Sequence, residues 1–165
     1  MWWSEQNSNN QLETLLTSCG MTQQTLLIEL LTMLDEASAI AREYYRKADK
    51  LDVVKIGDAT PLTEADTALH HLITGRLKSM AVGLPVLSEE SEAKEIALRR
   101  AWNACWVIDP LDGTKEFIEK TDEFTINVAL IIDGKSELGI ISVPCLEEHW
   151  VGVVGNGAAI FKERR

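Results

Sequence analysis

From Thr22 onward, apolar residues recur at spacings of three and four, which is the pattern of an amphipathic helix. The apolar positions of this stretch are Leu27, Leu30, Leu34, Ala37, Ala41 and Tyr44. Thr22 is a favourable N-cap residue, and the pattern ends between Lys47 and Lys50. The sequence therefore predicts a long helix with one buried face.

A second helix is predicted from Thr63, where a hydroxyl residue is followed by Glu64 and Asp66. Acidic side chains in the first turn stabilise a helix, because they interact favourably with the positive end of the helix dipole. The apolar positions of this helix are Leu69, Leu72, Ile73, Leu77 and Met80. Between the two helices, residues 51–55 are predicted to form a short strand and residues 57–61 a turn.

In the second half of the chain, the period of the apolar positions changes towards two, which is typical of strands. The predicted strands are Val86–Leu87, Thr125–Ile132, Glu137–Val143 and His149–Val154. The pairs Asp133–Gly134 and Asn156–Gly157 are hairpin signals, so these last strands should form an antiparallel meander. Residues 92–100 are charged and are predicted to form an exposed helix. Two long helices packed on a largely antiparallel sheet define an α+β domain.

Residues 1–20 are polar and show no sustained period, so we expect a disordered extension, with Met21 as the plausible initiator. The folded domain is expected to span residues 21–165. The N-terminus lacks the basic start and apolar stretch of a secretory signal, which predicts a cytoplasmic location. A peripheral position at the cytoplasmic face of the inner membrane is compatible with this prediction. The longest aliphatic run, Val128–Ile132, is too short to cross a membrane.

The chain has 165 residues, 45% of them hydrophobic, and a formal net charge of −10. These values fit one globular domain with its own core. The acidic excess argues against nucleic-acid binding, which needs a basic surface. A small phosphorylated substrate stays compatible with it, because bound cations reverse the local field.

Two acidic segments follow predicted strands. Glu89 and Glu90 come after the short strand at Val86–Leu87, while Asp109 follows an apolar run and Asp112 lies three positions later. Carboxylates crowded together repel one another unless cations lie between them. Carboxylate and carbonyl oxygens are the ligands that Mg²⁺ and Ca²⁺ prefer. The sequence therefore predicts a site for hard divalent cations.

A short segment after Asp109 adds anion-binding groups to this prediction. Pro110 is expected to turn the chain. Gly113 allows the backbone to approach a ligand closely, and Thr114 is expected to begin a helix. The backbone amides at a helix N-terminus favour an anion, so a phosphate group is predicted next to the cations.

The segments Leu87–Glu90 and Asp109–Thr114 together resemble the paired motif of the metal-dependent, lithium-sensitive phosphatases, the inositol monophosphatase superfamily. Its members include inositol monophosphatases, fructose-1,6-bisphosphatases and 3′(2′),5′-bisphosphate nucleotidases. The resemblance runs from about Met21 to the end of the chain, and it is specific because two separated elements match in order and spacing. The segment Thr114–Phe117 is similar to that of the bisphosphate nucleotidases, and the segments Pro61–Asp66 and Pro85–Glu90 are similar to those of the bacterial enzymes of the CysQ type. This resemblance implies the N-terminal half of the αβαβα sugar-phosphatase fold.

The resemblance also implies the metal ligands. Glu89, Asp109 and the backbone carbonyl of Leu111 would hold one Mg²⁺. Asp109 and Asp112 would contribute to a second ion. Two or more Mg²⁺ ions are therefore the expected cofactors.

Catalytic and substrate-binding roles are implied in the same way. Thr114 and Asp66 would position and activate the attacking water, with Glu89 as a further catalytic carboxylate. The backbone amides of Gly113 and Thr114 would contact the phosphate. The residues expected at the substrate are Glu89, Leu111, Asp112, Gly113 and Thr114. Lys55 lies near a position where many members of the family carry a lysine.

The implied reaction is Mg²⁺-dependent removal of the 3′-phosphate from adenosine 3′,5′-bisphosphate, which gives AMP and phosphate. In two-metal catalysis one ion sharpens the nucleophile and the other stabilises the leaving oxygen. Two alternatives stay open. The first is an inositol or sugar monophosphatase, and the second is a metal-binding remnant without catalytic activity.

Members of this family are longer and carry a second α/β half, which supplies a further metal-binding aspartate. After Asp133 this sequence contains no aspartate. We therefore expect a fragment or truncated product whose activity alone is weak or absent. We also expect its strands after Thr125 to expose apolar groups, which favours self-association.

The histidines are predicted to be structural. His70 and His71 are adjacent and should point to different helix faces, so they form no joint ligand pair. His149 is expected in a strand without an acidic partner.

Overall fold

A computed structural model of the chain describes residues 11–48, 61–91 and 93–163. The helices are α1 (Gln11–Ser18), α2 (Gln23–Lys47), α3 (Pro61–Ser79), α4 (Ala93–Leu98) and α5 (Thr114–Glu119), with 3₁₀ turns at Arg99–Ala101 and Pro144–Leu146. The strands are β1 (Val86–Ser88), β2 (Ala104–Asp112), β3 (Thr125–Ile132), β4 (Lys135–Val143), β5 (Glu148–Val153) and β6 (Gly157–Lys162). The strand predicted at residues 51–55, with Lys55, lies outside the described residues.

The strands form a six-stranded sheet in the order β1-β2-β3-β4-β5-β6. β1 and β2 run parallel, and every later neighbour is antiparallel. The hairpin signal at Asp133–Gly134 is confirmed, because both residues have positive φ and join β3 to β4. A largely antiparallel sheet with helices confirms the predicted α+β class.

The two long helices supply the core of the domain. Thr22 caps α2 as predicted, because its hydroxyl accepts a hydrogen bond from the backbone N–H of Thr25. The apolar stripes of α2 and α3 share one continuous cluster with the buried side of the sheet. On β3 the buried positions alternate strictly: Ile126, Val128, Leu130 and Ile132. Each such side chain stabilises the fold by about 1.5–3 kcal/mol through its removal from water.

The prediction of disorder across residues 1–20 is wrong for Gln11–Ser18, which form α1. Leu12 and Leu16 lie one turn apart, are fully buried and belong to the core. The Gln11 side chain also donates a hydrogen bond to Asp133 at the β3–β4 turn. A two-turn helix has too few apolar positions to show a period, so only tertiary packing reveals it. Residues 1–10 lie outside the described residues.

Helix α3 begins at Pro61, so the N-cap predicted at Thr63 is wrong. Proline is favoured at the first helical position because its missing N–H would have no helical partner there. Of the turn predicted at residues 57–61, only Pro61 belongs to the described residues, and it is helical. At the other end of the chain, the turn signal at Asn156–Gly157 does join two strands, and the second is β6, which the sequence analysis left out.

Pro110 was expected to turn the chain away from the sheet, and this prediction is wrong because β2 continues past it. The strand runs to Asp112, and its pairing with β3 shifts register between Asp109 and Asp112. Proline has no N–H to donate to a neighbouring strand. At a bulge one residue is left unpaired, so a proline there costs no hydrogen bond between the strands. The bulge therefore allows the acidic segment to stay attached to the sheet.

The sheet face opposite the long helices is apolar and open. A row of paired residues crosses it from Asn127 through Ile141 and Trp150 to Ile160. The last three side chains are each about half exposed. A neighbouring row consists mostly of small residues: Ala129, Gly139, Gly152 and Ala158. These two rows line a broad depression of about 840 Å³, which also reaches Asp109 and Asp112.

Candidate metal and active site

Two parallel strands deliver acidic residues to the same edge of the sheet. Ser88 at the end of β1 pairs with Ile108 of β2. Glu89 and Asp109 are the next residues of these neighbouring strands, so the pairing alone brings them together. The structure thus confirms that the two separated acidic segments meet.

Helix α3 contributes a third group to this edge. Carboxylate oxygens of Asp66, Glu89 and Glu90 lie within 4.8 Å of one another. Asp66 is half-buried, whereas the two glutamates are exposed on the turn after β1. We call the set Asp66, Glu89, Glu90, Asp109 and Asp112 the acidic cluster.

Electrostatics in the acidic cluster oppose ionisation. Burial, followed by the negative charges of Glu90, Glu89 and Asp109, raises the pKa of Asp66 to about 7. Burial and the neighbouring Glu89 and Asp112 raise the pKa of Asp109 to about 6. Like charges this close cannot all be ionised without a compensating cation, so the cluster retains protons near neutral pH.

These residues fit a hard divalent cation. The Oδ1 atom of Asp66 is buried and has no hydrogen-bond partner among the described residues. A buried carboxylate oxygen without a partner is costly, and coordination to a cation would satisfy it. All donors of the cluster are oxygens, which is the set that Mg²⁺ prefers.

The β2 bulge arranges the second acidic segment. The backbone N–H of Leu111 donates a hydrogen bond to Asp109 Oδ1 at 3.2 Å, while the Leu111 side chain is buried in the core. Asp112 is exposed and accepts a hydrogen bond from the Asn127 side chain at 3.1 Å. These contacts fix the orientation of both aspartates relative to the sheet.

Gly113 joins this segment to α5. Its φ is +91°, in the left-handed region. A Cβ at this position would lie 3.0 Å from the backbone oxygen of Glu123 and 3.1 Å from Cα of Phe124. Only glycine fits this approach, and α5 then begins at the exposed Thr114, as predicted. α3, which carries Asp66, contacts α5.

Sequence reasoning assigned no role to Glu90 or Asn127, although both belong to the geometry of the site. Glu90 could have been found from its place directly after Glu89 in the same turn. Asn127 carries no sequence signal, since only the register of β3 against β2 places it beside Asp112.

The expectation that His149 lacks an acidic partner is wrong. Its Nε2 lies 2.8 Å from Asp35 Oδ1, and its Nδ1 lies 2.8 Å from Ser142 Oγ. Ser142 and His149 are fully buried, so no substrate can reach the hydroxyl. The three residues tie α2 to β4 and β5 and are structural.

Comparison with known proteins gives the class of the chain. Residues 22–164 match the inositol monophosphatase family. This chain therefore belongs to the inositol monophosphatase family.

Relatives with a more specific name are found within this family. The 3′(2′),5′-bisphosphate nucleotidase CysQ of Escherichia coli K12 is 40% identical, over 74% of this chain and 52% of that protein. The CysQ of Haemophilus influenzae is 34% identical, over 84% of this chain and 50% of that protein. This chain spans about half the length of the curated relatives that it matches.

Solved structures show the same fold. The crystal structure of CysQ from Bacteroides thetaiotaomicron matches with a TM-score of 0.68 and 38% identity, over 78% of this chain and 45% of that one. Inositol monophosphatase II from Staphylococcus aureus matches with a TM-score of 0.67 and 23% identity, over 82% of this chain and 47% of that one. The second likeness supports the fold alone.

None of the helices described in the structure combines the length and the apolar character needed to cross a membrane.

Proposed function

We propose that this chain is the metal-binding part of a Mg²⁺-dependent phosphomonoesterase. The observation that carries the proposal is the acidic cluster, in which two carboxyl groups have raised pKa values and one buried oxygen has no partner within the described part of the chain. Binding of cations would relieve the repulsion in this cluster and satisfy the buried oxygen. Membership of the family supports a phosphate ester as the ligand.

The metal ligands that we propose are Glu89, Asp109, the Leu111 carbonyl and Asp112. Two Mg²⁺ ions bound here would supply Lewis-acid stabilisation of the phosphoryl oxygens and of the leaving group. Asp109 lies in a strand and is anchored through the Leu111 N–H, so its carboxylate would be held in place for a bound ion.

The protein's own groups would orient the reactants. Asp66 is half-buried beside Glu89 and Glu90, so its carboxylate lies where it would orient a water next to the bound cations. We assign Asp66, with the Thr114 hydroxyl, to the positioning of the attacking water, and Glu89 as a further catalytic carboxylate. The backbone amides of Gly113 and Thr114 are proposed to contact the phosphate, next to Glu89, Leu111 and Asp112.

We further propose adenosine 3′,5′-bisphosphate as the substrate. The support is the similarity to proteins named 3′(2′),5′-bisphosphate nucleotidase, at about 40% identity. An inositol or sugar phosphate is the alternative, and no observation favours it, because the inositol monophosphatase structures match at fold level only. The cytoplasmic location and the use of two ions stay predictions.

Phosphate release tests the substrate. Because the relatives are about twice as long, the assay combines this chain with the second half of the E. coli relative, fused or in trans. Mg²⁺-dependent turnover of adenosine 3′,5′-bisphosphate above that of inositol 1-phosphate is the expected result. Equal or faster phosphate release from inositol 1-phosphate would contradict this substrate and support the inositol or sugar phosphate alternative. No release from either would favour the non-catalytic remnant.

A further inference from the structure

His70 lies one helical turn after Asp66 on α3, and its ring is directed at the turn that carries Glu89 and Glu90. The His70 Nδ1 atom lies 3.1 Å from Ser88 Oγ. Ser88 is buried, and His70 is half-buried beside it. The adjacent His71 is exposed and touches His70 edge-on, with ring centroids 5.5 Å apart.

Ser88 is the last residue of β1 and the first residue of the turn that follows. Its Oγ accepts the backbone N–H of Glu90 at 3.3 Å. Its own N–H donates to Ser91 Oγ at 2.9 Å, and the Ser91 N–H donates to the Ser88 carbonyl at 3.0 Å. Every one of these bonds holds the short segment that presents the two glutamates.

Ser88 Oγ can bond to both of these partners at once. A hydroxyl oxygen has two acceptor positions and one hydrogen, so it holds the Glu90 N–H and still pairs with His70 Nδ1 in either direction. The two contacts therefore link the His70 ring on α3 to the backbone of the turn.

We propose that His70 is a positioning residue, which fixes the Glu89–Glu90 turn against α3 through Ser88. The carboxylates of this turn repel Asp66 when they are ionised, so without a cation they are driven away from α3. A hydrogen bond at the base of the turn opposes that displacement. Its value for Mg²⁺ binding rests on the proposed function, whereas its effect on the turn does not.

Nuclear magnetic resonance of the metal-free chain tests the effect on the turn. Hydrogen exchange of the Glu90 amide should be about fivefold faster in His70→Ala, as expected for the loss of one hydrogen bond. His70→Asn should restore the slow exchange, because the Asn carbonyl oxygen reaches a similar position to Nδ1. The matched control, His71→Ala, should leave it unchanged.

A Glu90 amide that exchanges in the wild type as fast as an unprotected amide would overturn the inference, whether or not any variant folds. Equal Glu90 exchange in the wild type and His70→Ala would overturn it as well, and so would failure of His70→Asn to differ from His70→Ala.

Calorimetric titration with MgCl₂ then tests the consequence for the cluster. His70→Ala should bind Mg²⁺ about fivefold more weakly than the wild type, while His70→Asn and His71→Ala should bind it equally well. If the wild type binds no Mg²⁺, the proposed function fails, and the exchange result alone decides the role of His70. If wild type and His70→Ala bind Mg²⁺ with equal affinity, His70 does not position the ligands, and the proposed function is unaffected.

Discussion

At the scale of single residues, Asp66 is the carboxyl group that the cluster alters most. Its pKa is about 7 in the folded chain, whereas an aspartate in an unfolded chain has a pKa of about 4. Between these two values the folded protein holds a proton that the unfolded chain has released. Raising the pH through this window therefore lowers the free energy of unfolding.

Urea denaturation without divalent cations measures this effect. We expect the free energy of unfolding to fall between about pH 4 and about pH 7, and the fall to be smaller in Asp66→Asn, which cannot ionise. Glu64→Gln, an exposed position on the same helix, should keep the wild-type pH dependence. An Asp66→Asn variant with the full wild-type dependence would show that Asp66 does not titrate in this range.

At the scale of elements, the β2–α5 junction depends on one glycine. Gly113→Ala places a Cβ 3.0 Å from a backbone oxygen and forces alanine into the left-handed region. We expect the free energy of unfolding to fall by roughly 1–3 kcal/mol, since neither strain can relax without moving the neighbouring backbone. Chemical denaturation measures the change.

Gly75→Ala is the matched control, because Gly75 is exposed within α3 and its Cβ would meet nothing within 4 Å. It should raise the free energy of unfolding by up to about 1 kcal/mol through helix propensity. A Gly113→Ala protein as stable as the wild type would contradict the close approach at this junction.

Elements with strong periodicity could be predicted from the sequence. The apolar stripes of the long helices and the alternation at Thr125–Ile132 reflect burial on one face, so the pattern reports the structure directly. Two other elements could not be predicted well. α1 has only two turns, and β6 is an edge strand whose exposed positions carry little alternation.

The candidate site was predictable where sequence neighbours carry the chemistry. Glu89, Asp109 and Asp112 stand at the ends of apolar strands, so their meeting follows from strand pairing. The roles of Asn127 and His70 depend on register and on helix orientation, which no local pattern encodes.

At the scale of the whole molecule, the open apolar face predicts self-association. Ile141, Trp150 and Ile160 lie in one row across three strands, each about half exposed. Contiguous apolar surface of this kind favours association through its removal from water. We expect sedimentation velocity to show larger species as the protein concentration rises.

Trp150→Lys should shift the protein towards the monomer, because it places a charge in the centre of this face. Ile28→Lys is the control, since Ile28 is a comparably exposed apolar residue on α2, in the helical layer. Association that persists in Trp150→Lys would exclude this face as the contact surface.

The central claim is that the acidic cluster binds Mg²⁺, and isothermal titration calorimetry of the purified chain tests it most directly. The wild type should bind Mg²⁺, and Asp109→Asn should lose most of the affinity, because Asp109 is a proposed ligand of the metal ions and its replacement removes one negative charge from the site. Asp133→Asn changes an exposed aspartate at the far end of β3 and should bind like the wild type. Unchanged Mg²⁺ binding in Asp109→Asn would contradict the account.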